Sequence, residues 1–207
     1  MFFGLPDCDK VFMKYFDRWY EPEDRARKRF PATKPDTLLV QEIRGLPQDA
    51  SPLDETAQSD VREIVNNMIT AAEADWPSFL PVSMPMGIQW IDEFDKYHNK
   101  QRVKAVMKMS DPSDFSNELF VRCCEFGAVI GYVMVETLPG LQWVYDWPYW
   151  ESSILDPESG TFISVFHWAI KKFSSYGIDD GFKAKIIACC KMIGEERINP
   201  SDLDTCD

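Results

Sequence analysis

The sequence has few histidines and no long apolar run, and these absences exclude several classes of protein. Of the 207 residues only two are histidine, so a catalytic zinc site with its usual three protein ligands would have to include carboxylates. The longest apolar run, residues 126–135, is about half of the roughly 20 residues that a membrane-spanning helix needs. No nucleophile elbow, phosphate-binding loop or dinucleotide-binding fingerprint occurs. The sequence therefore carries no motif that identifies an enzyme.

Basic residues are scarce relative to acidic ones. The chain has 22 Lys and Arg against 34 Asp and Glu, which gives a formal net charge of −12. This charge repels phosphate and anionic lipid, so binding to nucleic acid or to a membrane is not expected, whereas a basic protein would be attracted. Hydrophobic residues make up 45% of the chain, which is too apolar for disorder and enough for a sizeable core.

The six cysteines predict buried, reduced thiols. Four of them form two adjacent pairs, Cys123-Cys124 and Cys189-Cys190. Neighbours on a helix point about 100° apart, so neither pair chelates a metal well or closes a normal disulfide. A metal site that joins the two pairs is the alternative. The N-terminus lacks a basic segment and an apolar core, so no secretory signal is expected. Together these features predict a cytoplasmic protein without a cofactor.

Hydrophobic periodicity predicts an α+β fold that is helix-rich, with a small antiparallel sheet in the C-terminal half. Residues 1–110 are expected to form a mainly helical lobe. Residues 111–207 are expected to form a second lobe of helix, β-hairpin or meander, and helix, and the two lobes together make one compact unit. Residues 37–43 fit either a short strand or a helical turn.

Several local signals make this prediction more specific. Ser51 is expected to cap one helix and Asp114 another, which is apolar on most sides and therefore central. In that helix Gly127 and Gly131 lie four residues apart, which lets another element approach its backbone closely. Residues 141–145, 149–155 and 161–165 are expected to be strands, the last two joined by a turn at residues 156–160.

The two histidines and one acidic pair are the candidate catalytic groups. His98 lies in a polar helical stretch and is expected at the surface. His167 lies at a strand-to-helix junction and is expected to be packed and hydrogen-bonded, with a role as general base as the alternative. Asp179 and Asp180 are expected to cap the last helix, and they are also able to bind a divalent ion.

Acidic and aromatic residues are concentrated in one part of the chain. Residues 111–160 contain nine acidic residues and one arginine, a net contribution of −8. Five aromatic residues lie within residues 143–150, and strand alternation would bury only about half of them. Exposed Trp and Tyr among carboxylates are typical of a protein-binding hot spot, although burial of all five rings in the core is the alternative. The predicted contact residues are Asp146, Trp147, Tyr149, Trp150, Glu151, Asp156 and Glu158.

Three segments carry a resemblance to a known family. The segment from Glu125 to Met134 has the sequence EFGAVIGYVM, Leu141 to Trp143 has LQW, and Phe162 to Lys171 has FISVFHWAIK. Together they resemble bacterial immunity proteins, which neutralise contact-dependent or type VI secreted toxins. The resemblance covers roughly residues 114–195. It implies a protein that acts by binding, and it assigns no catalytic residue.

These observations lead to one main hypothesis and two alternatives. The main hypothesis is a cytoplasmic immunity protein that binds and neutralises a cognate antibacterial toxin. A nuclease is the expected toxin, since a basic nucleic-acid groove attracts an acidic inhibitor. The first alternative is an adaptor or chaperone for a secreted effector. The second is an enzyme of unrecognised type that uses His167 or the Asp179-Asp180 pair.

Overall fold

A set of helices packs around one central helix and against a small sheet. The computed structural model describes residues 4–20, 43–44, 53–74, 87–175 and 181–193. These residues contain seven α-helices and an antiparallel sheet, so the predicted helix-rich α+β class is confirmed. No helix in these ranges is long and apolar enough to cross a bilayer.

The helices and strands follow one another in a simple order. The helices are α1 (Cys8–Tyr15), α2 (Glu55–Ala74), α3 (Ile88–Tyr97), α4 (Lys100–Met109), α5 (Glu118–Thr137), α6 (Val165–Lys172) and α7 (Phe182–Ile193). The strands are β1 (Ile43–Arg44), β2 (Gln142–Val144), β3 (Ser153–Asp156) and β4 (Thr161–Ile163). Two short 3₁₀ turns span Asp17–Trp19 and Tyr149–Glu151.

The sheet has the strand order β1-β4-β3-β2, and every neighbouring pair is antiparallel. Strands β2, β3 and β4 form the predicted C-terminal meander. The edge strand β1 comes from the N-terminal half, where Ile43 pairs with Ile163. Residues 37–43 were predicted to form either a short strand or a helical turn. Ile43 is a strand residue, and residues 37–42 lie outside the described residues.

Helix α5 is the central element of the fold, as its apolar sequence predicts. A Cβ at Gly127 would lie 2.7 Å from the Cα of Phe166 in α6, and a Cβ at Gly131 would overlap the indole ring of Trp143 in β2. These distances are shorter than van der Waals contact, so both positions require glycine for close packing. The prediction that this pair of glycines admits another element is confirmed.

The core joins elements from both halves of the chain. Phe16, which follows α1, packs against Phe120 of α5 and Trp150 of the second 3₁₀ turn. Helix α2 also packs along α5 through buried valines at positions 61 and 65. The predicted lobe boundary at residue 110 stays a prediction, but the core residues on its two sides belong to a single hydrophobic cluster.

The predicted cap of the central helix, Asp114, was wrong by three residues. Helix α5 is capped by Asn117, whose side-chain oxygen accepts the N–H of Phe120, whereas Asp114 caps the turn before it through the N–H of Ser116. Helix α2 is preceded by Asp54, whose carboxylate accepts the N–H of Ala57. The predicted cap Ser51 lies outside the described residues. Competing caps lie within a few residues of each other in both regions, and the sequence pattern does not rank them.

His98 is buried, and the prediction that it lies at the surface was wrong. It ends α3 and is only 7% exposed. Its ring stacks on Phe94 at 4.1 Å between ring centres and contacts the edge of Phe126. Polar neighbours in sequence indicated exposure, but the break between α3 and α4 turns the imidazole toward α5. Burial lowers the pKa of His98 to about 3.

The start of α7 is held by an acid from another helix. The carboxylate of Asp95 in α3 accepts the N–H of Lys183 at 3.0 Å and pairs with the buried ammonium of Lys172 at 3.1 Å. An acid at this position is favoured by the helix dipole. The predicted capping acids Asp179 and Asp180 lie outside the described residues.

Candidate functional site

The structure separates the seven predicted contact residues into surface and interior groups. Trp147 is 43% exposed, Glu158 is exposed, and Asp146 and Tyr149 are half-buried. The other three, Trp150, Glu151 and Asp156, are at most 5% exposed. Burial removes these three from any surface available to a partner.

Trp150 and Glu151 are buried because residues 149–151 form a 3₁₀ turn instead of the predicted strand. Side chains in a strand alternate between two faces, whereas consecutive side chains in a 3₁₀ turn are about 120° apart. The indole N–H of Trp150 donates to the Tyr20 hydroxyl at 2.8 Å, and that hydroxyl donates to the carboxylate of Glu151. These two side chains therefore hold the segment after α1 against the turn.

The buried Glu151 also lies beside His167. The Nε2 atom of His167, in the first turn of α6, is 3.5 Å from a carboxylate oxygen of Glu151. Both side chains are about 5% exposed or less, so the prediction that His167 is packed at a strand-to-helix junction is confirmed. This buried pair connects the 3₁₀ turn to α6, and solvent does not reach it in this conformation.

Asp156 holds the hairpin turn between β3 and β4. Its carboxylate accepts the N–H of Glu158 at 3.2 Å, the N–H of Ser159 at 3.3 Å and the hydroxyl of Ser159 at 2.5 Å. Gly160 completes the turn with φ of +69°, which a glycine adopts without strain. The turn predicted at residues 156–160 is confirmed, and Asp156 belongs to it instead of to a contact surface.

The exposed members of the predicted group lie at opposite ends of the sheet. Asp146 and Trp147 precede β3, and the N–H of Asp146 is bonded to the hydroxyl of Ser152 just before that strand begins. Glu158 follows the end of β3. Four strand residues span about 13 Å at roughly 3.3 Å per residue, so Glu158 and Trp147 do not form one cluster.

Trp147 lies in a well-defined loop between β2 and the 3₁₀ turn. Its N–H donates to the carboxylate of Asp146 at 2.7 Å, and its ring meets the edge of the Tyr149 ring at 6.2 Å between centres. The peptide bond to Pro148 is cis. The indole is thus presented to solvent on a loop fixed by side-chain contacts on both sides.

An apolar groove lies next to this loop, between α2 and α5. Its volume is about 360 Å³. Its lining residues are Ile64, Asn67, Met68, Ala71, Val121, Cys124, Glu125 and Tyr149. Because Tyr149 lines the groove and also contacts Trp147, the exposed indole and the groove form one continuous surface. We call this surface, with Asp146, the Trp147 surface.

The groove was not predicted from the sequence. Its walls come from residues 64–71 and 121–125, which lie about 50 positions apart and meet only when α2 packs along α5. The helical periodicity of α2 includes Met68 but counts it as core. The sequence feature that could have indicated the groove is the large apolar side chain of Met68 at the margin of the amphipathic face of α2. An apolar residue at such a position occurs both in a core and in a groove wall, so it does not predict a groove.

One carboxylate, that of Glu125 in α5, lines the groove. It lies 3.5 Å from the guanidinium of Arg122, which also contacts the carboxylate of Glu118 at 2.7 Å. The groove therefore combines apolar walls with a carboxylate at its α5 edge. A cationic group on an apolar stem would match this combination.

The thiol of Cys124 and the hydroxyl of Tyr149 meet at the groove, but neither ionises near neutral pH. Burial raises the pKa of Cys124 to about 12, and burial also raises the pKa of Tyr149 above its usual range. A nucleophilic cysteine requires a lowered pKa, so this thiol acts as an apolar wall of the groove.

The described cysteines confirm the prediction of buried thiols. Cys8, Cys123 and Cys124 are free and buried, and Cys189 is buried as well. Across the described ranges there is no cluster of three His, Cys, Asp or Glu side chains that would hold a metal ion. The side chain of Cys190 is outside the described set.

Fold and site together define a helix-rich α+β protein in which Trp147, the most exposed of the described tryptophans, borders an apolar groove with a carboxylate at its edge. No protein-family model, curated protein or solved structure matches the chain.

Proposed function

We propose that this protein binds and neutralises a basic protein partner, as an immunity protein does with its toxin, through the Trp147 surface. The observation that carries the proposal is the exposed indole of Trp147 on a constrained loop beside an apolar groove. Large aromatic residues beside a pocket are the side chains that contribute most to protein–protein binding. A fixed loop also reduces the entropy lost when the complex forms.

Charge favours a basic partner over a neutral one. The chain carries a net charge of −12, and the carboxylate of Glu125 lines the groove. A lysine or arginine from a partner would place its apolar stem in the groove and its cation near this carboxylate. Electrostatic steering would also speed association.

A nuclease toxin is the partner class we favour. Nucleases bind phosphate through basic grooves, and an acidic inhibitor competes for that surface. The weak resemblance of residues 114–195 to immunity proteins supports the same class. Neutralising a toxin that enters the cell requires an inhibitor in the cytoplasm, so a cytoplasmic location is part of the proposal.

The proposal is tested by partner capture followed by a rescue assay. The wild-type protein is used to isolate a partner from its native cells, and the partner gene is then expressed in a sensitive strain with each variant. Trp147→Ala should reduce affinity by at least about 30-fold, as expected for a hot-spot residue, and should abolish rescue. Met13→Ala is the matched control, because Met13 in α1 is 51% exposed but lies outside the Trp147 surface.

Two outcomes would contradict the proposal. If Trp147→Ala binds and protects as well as the wild type, the Trp147 surface is not the interface. If a stable complex forms but the partner keeps its full activity, the adaptor or chaperone function replaces neutralisation.

A further inference from the structure

Helix α4 has a charge pattern opposite to that of the protein as a whole. Its ten residues, Lys100–Met109, include four basic residues and no acidic one. The helix therefore contributes +4 to a chain whose net charge is −12, and the rest of the chain carries −16. The basic residues are Lys100, Arg102, Lys104 and Lys108.

Three of these residues form a line along the helix. Lys100, Lys104 and Lys108 are spaced four apart, so each lies about one turn from the next on the same side of the helix. Lys100 and Lys108 are exposed, and Lys104 is half-buried. We call these three residues the lysine stripe.

This arrangement opposes the stability of the helix. Like charges four residues apart repel each other. Lys100 and Arg102 also lie in the first turn, where the positive end of the helix dipole disfavours cations. The same helix with glutamate at one stripe position would be more stable, so folding alone does not explain the pattern.

Lys96, in the helix before α4, differs from the lysine stripe because carboxylates neutralise its charge. Lys96 in α3 contacts the carboxylates of Asp92 at 2.9 Å and Glu93 at 2.8 Å. In the described part of the chain, no carboxylate lies within ion-pair distance of the lysine stripe. Arg102 differs from the stripe because its guanidinium lies over the Tyr97 ring, 3.5 Å from its centre.

The acids that follow α4 are engaged in the next turn. The carboxylate of Asp111 accepts the N–H of Ser113, and the carboxylate of Asp114 accepts the N–H and the hydroxyl of Ser116. Apolar side chains are exposed at this same end of α4. Met109 is 70% exposed and Phe115 is 58% exposed.

We propose that the lysine stripe binds an acidic, extended segment of a partner protein. A helix of this length spans about 15 Å, and stripe lysines lie about 6 Å apart along its axis. In an extended chain, alternate residues share one face and are about 6.6 Å apart. Carboxylates at alternate positions therefore match the stripe, and an apolar residue beyond them would meet Met109.

Protein is favoured over nucleic acid or membrane by the charge outside α4. A duplex or a bilayer is a long, uniformly negative surface. When such a surface contacts α4, other parts of it come within about one Debye length, roughly 8–10 Å, of the rest of the protein. Because the residues outside α4 carry a net charge of −16, they repel this surface. A short acidic peptide meets only the local positive charge. This interface differs in sign and position from the Trp147 surface and does not depend on it.

The test measures fluorescence anisotropy of a labelled peptide with three glutamates at alternate positions, serines between them and a C-terminal leucine. The same peptide with glutamines is the ligand control. Substituting all three stripe lysines with glutamine (K100Q/K104Q/K108Q) should weaken binding of the acidic peptide by about tenfold, because each exposed ion pair contributes a factor of about two. Raising the salt concentration should have the same effect on the wild type.

A matched variant separates local from overall charge. The substitutions K10Q/K183Q/K191Q change the net charge equally but lie on α1 and α7, so they should change affinity less than about twofold. Thermal unfolding provides a second readout. The stripe variant should have a Tm equal to or above that of the wild type, because the repulsion between its lysines is removed.

Each of the following results would contradict the proposal of a peptide-binding lysine stripe. Equal affinity of the stripe variant and the wild type, or no binding of the acidic peptide, means that the stripe is not a peptide site. Stripe-dependent binding of single-stranded DNA or phosphatidylserine vesicles that exceeds peptide binding means that the partner is of another class. A lowered Tm means that the stripe serves the fold.

Discussion

Acidification should destabilise this protein through His98. The imidazole is buried against Phe94 and Phe126, and its Nδ1 lies 3.1 Å from the carbonyl oxygen of Phe94. A carbonyl only accepts, so Nδ1 carries the proton of the neutral ring. Protonating Nε2 would create a buried cation, and burial accordingly lowers the pKa of His98 to about 3. Lys172, Arg122 and Arg102 add positive potential in the same direction.

The size of the effect follows from the difference between the folded and the unfolded pKa. The unfolded value is near 6.5, so at pH 5 His98 is about 97% protonated in the unfolded chain and almost neutral in the folded one. Protons therefore bind preferentially to the unfolded state, and the free energy of unfolding falls as the pH drops from about 6.5 toward about 3. Integration of this difference predicts that His98 costs about 2 kcal/mol at pH 5 relative to pH 7.5.

Urea denaturation at pH 5 and pH 7.5 measures the contribution of His98 to the free energy of unfolding. The variants His98→Leu and His98→Gln cannot take up the proton, so each should lose about 2 kcal/mol less than the wild type on acidification. Their own stabilities at pH 7.5 do not matter, since only the change with pH is compared. All other titratable groups are the same in the three proteins, so their contributions to the difference cancel. An equal pH dependence in the wild type and both variants would refute the assignment of His98 as a buried neutral histidine.

Three further predictions concern packing, the buried network and the groove thiol. Gly131→Ala should lower the free energy of unfolding by about 1–3 kcal/mol, because the added methyl group overlaps the Trp143 ring. Tyr20→Phe should lower it by about 1–3 kcal/mol, since the buried carboxyl group of Glu151 loses a donor and the indole N–H of Trp150 loses an acceptor. Cys124 should react with a thiol reagent far more slowly in the folded than in the unfolded protein, as peptide mapping after alkylation would show.

Each of these predictions has a control. Gly4→Ala should leave stability nearly unchanged, because a Cβ at Gly4 has no atom within 4 Å. Tyr15→Phe should cost less than Tyr20→Phe, about 0.5–1.5 kcal/mol, since only its bond to the carbonyl oxygen of Ser110 is removed. Equal losses for the two tyrosines would contradict the role of the buried network around Tyr20. Rapid labelling of Cys124 in the folded protein would contradict its burial.

Local sequence patterns identified most of the elements. The apolar sequence of α5 predicted its central position, because a helix that is apolar on most sides has to be covered on most sides. The turn after β3 was also predictable, since Asp156 and Gly160 occupy positions that a tight turn requires. The exact caps were less predictable, as the choice of Asn117 over Asp114 shows, because either side chain can accept the first helical N–H groups.

The candidate site was only partly predictable. The aromatic and acidic composition of residues 143–158 pointed to the loop that carries Trp147. It did not show that Trp150 and Glu151 are buried, because the alternation expected for a strand fails in a 3₁₀ turn. It also did not show that Glu158 lies at the far end of the sheet, since that distance depends on strand pairing.

By itself, the sequence determined the fold class, the central helix, the hairpin turn and the excess of negative charge. These properties depend on residues that are close together in the chain, where periodicity and composition are direct physical causes. The tertiary structure alone decided the burial of His98, the contact of Glu151 with His167 and the groove beside Trp147. Each of these joins residues far apart in the chain, and only the packing of α2, α3 and α6 around α5 brings them together.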